Sequence, residues 1–135
     1  MQRQLSKCFV IVVVLILSMT GGIIQPVDVR ADETHCGPIG TQTWSAAGSV
    51  HLVTCDITVP AGVTLTIEAG AIIKFNPATQ ITVDGKLVAQ GTLAKPIYFT
   101  SYRDDTIGGD SDGVASAGPL GDWGNIQFNS GSDDT

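Results

Sequence analysis

The segment from Ile57 to Phe75 reads ITVPAGVTLTIEAGAIIKF, and at Ile81 the chain begins the phrase again as ITVDGKLVAQGTLAKPIYF. Ile57 and Val59 fall on Ile81 and Val83, and Phe75 falls on Phe99, each at an offset of 24 residues. Only the ends of the phrase return; its middle drifts. Within each run Ile57, Val59, Val63, Leu65, Ile67, Ile73 and Phe75 take one side, and Thr58, Thr64, Thr66 and Lys74 take the other. That alternation is the signature of a half-buried strand. Between the runs stand PAG (60–62), EAG (68–70) and NPATQ (76–80), where Pro presets a corner and Gly supplies positive φ.

Three short strands and three corners in 24 residues describe one coil of a solenoid. A lone coil cannot bury its inward side and must stack on a neighbour. Stacked strands lie about 4.8 Å apart, so an inward Ile sits over the Ile of the next coil. Each such burial contributes about 1.5–3 kcal/mol, whereas corner residues face water and can vary. A third copy is expected with an insertion: PIYF (96–99) corresponds to NIQF (125–128) at an offset of 29, with the extra residues in the polar stretch 103–121. The sequence stops soon after, at NSGSDDT, with nothing to shield the bare strand edges of the last coil. It is therefore expected to be a piece of a longer solenoid.

Composition agrees with an all-β chain. Gly is frequent at 16 residues and costly in helices, and Ile, Val and Thr fill the strand-like runs. The N-terminus belongs to another category. Arg3 and Lys7 flank the start of an apolar run, CFVIVVVLILSM (8–19), and VRA (29–31) offers small residues where a signal peptidase reads. Residues 1–31 are expected to be a signal peptide cleaved after Ala31. The apolar run to Ile24 is short for a membrane span, so no span is expected once the signal is removed.

Residues 32–135 carry four basic side chains against twelve acidic ones. Such a surface repels nucleic acid, whose affinity rests on Lys and Arg against phosphate. Export brings oxidising surroundings, so Cys36 and Cys55 are expected to pair as a disulfide. The alternative, a zinc site from these cysteines with His35 and His51, lacks the close paired spacing of a zinc knuckle. With no nucleophile near them in sequence, both histidines read as surface or cap residues.

The phrases ITVPAGVTLTIEAGAIIKF, ITVDGKLVAQGT, KPIYFTS and GDWGNIQF, in this order between Trp44 and Phe128, resemble the opening of right-handed parallel β-helix proteins of the pectin lyase-like superfamily. They are most similar to the N-terminal part of large bacterial secreted and surface proteins. The resemblance implies a parallel β-helix of about three coils (57–135) entered through an N-terminal cap (32–56). In that cap Trp44 and Leu52 would cover the open end of the first coil, and the Cys36–Cys55 bridge would pin it. Catalytic members of the superfamily are carbohydrate lyases, hydrolases or epimerases, whose active residues lie on later coils. No catalytic motif carries over to a residue of this chain.

The most chemical stretch is RDDTIGGDSDG (103–113). Asp104, Asp105, Asp110 and Asp112 supply hard oxygen ligands, and the glycines let the backbone curl, so the loop is a candidate calcium site, although it lacks the far-end Glu of a calcium loop; the alternative is a solvated loop that keeps the chain soluble. Glu68 and Asp84 sit at corners without an Arg or His on their face, unlike the paired carboxylates of a glycosidase. Trp123 is expected to pack the long loop onto its coil rather than stack on a sugar. Thr58 and Thr82 fall one over the other, but the outward threonine array does not continue as an ice-binding ladder would. Together these features point to a non-catalytic, exported structural or interaction scaffold in contact with carbohydrate or cell-surface components. The alternative is the N-terminal part of a polysaccharide lyase or glycoside hydrolase whose active coils lie downstream.

Overall fold

The computed structural model describes residues 32–118 and 121–134; the expected signal peptide and its cleavage position lie outside them. The strands are β1 (Glu33–Pro38), β2 (Gln42–Trp44), β3 (Val50–Val59), β4 (Thr64–Ile67) and β5 (Ile72–Phe75), followed by β6 (Ile81–Val83), β7 (Lys86–Ala89), β8 (Tyr98–Ser101), β9 (Ile126–Phe128) and β10 (Asp133–Asp134). Among the described residues there is no helix, so none long and apolar enough to cross a membrane.

All of these strands pair in parallel, which produces a coil of three faces. The first face stacks β1, the start of β3, β5 and β8; the second stacks the end of β1, the end of β3, β6 and β9. The third stacks β2, β4, β7 and β10. β3 is long because it runs around one corner and serves two faces, joining them into one sheet. The stretch 32–56 expected as a cap thus contributes β1, β2 and the first part of β3, in register with the coils that follow.

The core is the inward ladder. Val53, Ile57, Val59, Leu65, Ile67, Ile73, Phe75, Ile81, Val83 and Leu87 are buried in one cluster, with Val63 partly buried against it. Ile57 lies on Ile81 and Val59 on Val83, as the repeat predicts. Two registers differ. Phe99 stacks on Ile73, and Phe75 is opposite Ser101, because the corner before β8 is longer than its counterpart one coil earlier. Nor is NIQF the next copy of PIYF: β9 pairs with β6, Ile126 on Ile81. The two segments are successive faces of one coil, separated by the inserted loop.

Close approach at one corner requires a particular glycine. A Cβ on Gly85 would overlap the carbonyl oxygens of Pro60 and Val63 in the coil before it, and Gly85 N donates to Val59 O at 3.0 Å. Only a residue without a side chain fits there.

Candidate functional site

The inserted loop folds over the outer side of the first face. Strand alternation turns Val50, Ile72 and Lys74 away from the core, yet Val50 and Lys74 are buried, because the loop covers them. Gly108 (φ +74°) passes so near that a Cβ would sit 3.1 Å from Val50 and 3.2 Å from Ile72. Lys74, expected to face water, instead has its Nζ capped by two loop carbonyls, donating to Asp104 O at 2.8 Å and to Gly109 O. Desolvation lowers its pKa, opposed by Asp105 and Asp104. Outward direction and solvent exposure part company here, since burial comes from a segment the strand pattern cannot see.

The four aspartates of the loop divide into two roles. Asp104 accepts from Thr100 Oγ1 at 2.6 Å and from Thr106 N at 3.0 Å, and the Thr100 and Thr106 bonds hold its pKa below the usual carboxylate value. Asp105, Asp110 and Asp112 each place an oxygen within 4.8 Å of the others. Asp110 Oδ1 accepts from Asp112 N at 3.0 Å, Asp112 Oδ1 from Val114 N at 2.8 Å, and Asp105 Oδ2 from Ser116 N, while Asp105 Oδ1 is buried without a hydrogen-bond partner. The structure therefore gathers three of the four predicted oxygen donors, while the Asp104 carboxylate turns to Thr100 of β8 and to Thr106.

Trp123, expected to pack the long loop onto its coil, turns to the core. Its ring stacks on Phe75 with centroids 4.3 Å apart and an interplanar angle of 14°, and it packs against the core cluster. The aromatic is part of the coil interior. Asp122 beside it accepts from Ser101 Oγ at 2.7 Å.

The corner carboxylates stitch coil to coil. Glu68 accepts from Ala46 N at 3.0 Å, Asp56 from Gln80 N at 3.1 Å and Asp84 from Asn129 Nδ2 at 2.7 Å. Lys86 and Asp133 form an ion pair at 2.8 Å. Outward Thr58 lies on Thr82, while Thr64 and Thr66 lie on Lys86 and Val88.

At the N-terminal end the side chains cluster differently. Cys36 and Cys55 are bonded, fastening β1 to β3. Trp44 is buried and stacks on His35 (centroids 4.4 Å) and His51 (5.4 Å). His51, read from the sequence as a surface or cap residue, is fully buried. Leu52, expected beside Trp44 over the open end, instead pairs with Thr34 and Lys74 on the outer side, because strand alternation gives the inward position to His51. Glu33 is the register partner of His51, which places Glu33, His35 and His51 together. Sequence reading did not group them. The available signal is the E-x-H spacing, which puts Glu33 and His35 on one strand face.

Residues 37–133 match the model of a family described as a pectate-lyase like beta helix domain. A curated relative, "Protein bark beetle" of Drosophila melanogaster, is 34% identical over 76 residues, covering 56% of this chain. The chain spans only 2% of that relative's length. No solved structure gives a significant match.

Proposed function

The chain belongs to the pectate-lyase-like β-helix family, and on that premise we propose that it is a non-catalytic scaffold segment of an exported protein, offering its stacked faces to carbohydrate or other cell-surface components. One observation carries this reading. Glu68, Asp56, Asp84 and the Lys86–Asp133 pair all bond across to a neighbouring coil, so these charged groups work in holding coils together. The N-terminal basic-then-apolar segment supports export, and the acidic excess of residues 32–135 favours neutral polysaccharide over polyanions.

The test is expression of the full chain in a secreting bacterial host, followed by a glycan array and an assay for polysaccharide depolymerisation. The reading expects cleaved protein outside the cells and retention of one or more glycans without new chain ends. Retention inside the cells, or release of unsaturated or reducing sugar ends by the purified chain, would overturn it. The second of these outcomes would favour a lyase or hydrolase reading.

A further inference from the structure

We propose that Glu33, His35 and His51 form a binding site for a divalent transition metal ion, zinc foremost, at the N-terminal rung of the helix. Parallel pairing sets Glu33 directly opposite His51, and His35 follows two residues later on the same strand face. His35 Nε2 lies 2.9 Å from His51 Nδ1, and Glu33 Oε2 lies 3.4 Å from the same nitrogen. Zinc bonds of 2.0–2.1 Å in a tetrahedron separate neighbouring ligand atoms by about 3.3 Å, and the two observed separations bracket that value.

The tautomer of His51 supports the assignment. Its Nε2 is 3.0 Å from the carbonyl oxygen of Ser45, which can only accept, so Nε2 carries the proton and Nδ1 holds the lone pair in the neutral ring. A ligating imidazole characteristically donates its far N–H to such a carbonyl, which fixes both ring orientation and donor atom.

Rigidity completes the site. Trp44 stacks on both imidazoles, and the Cys36–Cys55 bond, between the same two strands, fixes how β1 lies on β3. The three side chains are thus gathered before an ion arrives, with His35 Nε2–H donating to the His51 Nδ1 lone pair until the His35 ring proton moves to its Nδ1 and frees Nε2 for the ion. Two imidazoles and a carboxylate suit zinc, copper or nickel, whereas calcium takes six or more oxygens. Three protein ligands leave a fourth position for water or another donor.

The experiment is calorimetric titration of the untagged, disulfide-intact full chain with zinc chloride, and separately with calcium chloride, near neutral pH. Wild type, Glu33→Gln, His35→Gln and the double variant are compared, with far-UV circular dichroism as the folding control. Zinc is expected to bind one per chain and to raise the thermal midpoint. Folded His35→Gln should bind roughly 100-fold more weakly, and the double variant should lose the thermal shift. Binding should also weaken as pH falls and the imidazoles protonate. Absence of zinc binding to the wild type, or equal zinc affinity in the folded double variant, would overturn the assignment. A calcium response that survives in the double variant belongs to another part of the chain, and the zinc arm still decides.

Discussion

Lys74 Nζ donates to the backbone carbonyl of Asp104 at 2.8 Å, joining the middle of a strand to the loop inserted one coil later. This bond, with its partner to Gly109 O, fixes where the loop rests. Lys74→Ala leaves both carbonyls without their charged donor, and bonds of this type contribute about 1.5–3 kcal/mol. We expect a loss of about 2 kcal/mol in urea unfolding and faster proteolysis between residues 103 and 118. Unchanged protection of the loop would show that Val50 and Ile72 hold it without the ammonium.

Trp123 supplies the inner wall opposite Phe75. Trp123→Ala removes that wall and should cost about 3 kcal/mol, with loss of the near-ultraviolet dichroism of the stacked pair. Trp123→Phe should keep most of the stability, since the stack needs a flat ring rather than an indole nitrogen.

The bond from Cys36 to Cys55 closes a loop with a sequence separation of 19. Reduction, or the double change Cys36→Ser with Cys55→Ser, should lower stability by roughly 3 kcal/mol through the freedom returned to the unfolded chain. Thermal melts with and without reductant read this directly.

Acid should weaken the metal-free chain through His35. Its folded pKa lies below the unfolded 6.5, so the unfolded chain binds the proton more readily. The contribution is fully present above pH 6.5 and is lost as pH falls from there through the folded value. Melting temperatures across that window should decline, and His35→Gln should flatten the decline. An equal slope in the variant would assign the effect to other groups.

Gly85→Ala should be poorly tolerated, at ~3 kcal/mol, because a well-packed corner has no room for an added methyl. Chemical denaturation of the variant measures it, and a stability within error of wild type would mean the two coils can part at this corner.

The repeat foretold the ladder from Ile57 to Ile81 because the chain between them has no insertion, so the sequence offset is also the stacking offset. It misled at Phe99, where a longer corner moves the partner from Phe75 to Ile73. A period in sequence equals a period in space only while every corner keeps its length. Lys74 was legible as outward but not as buried, for its cover comes from a polar loop with no strand pattern. Glu33 and His35 were harder still. Their strand reads ETHCGP, without apolar alternation to mark an inward side, and His51 joins them only when the coil closes.

β3 pairs with β1 on one side and with both β5 and β6 on the other, and the bond between Cys36 and Cys55 lies beside it. Force that separates the first rung from the second must therefore tear two faces together at β3, and the covalent link limits how far β1 can be drawn from it. In a protein loaded along its axis this rung would act as a stop, and force spectroscopy should record a longer-lived plateau there with the disulfide intact than after reduction.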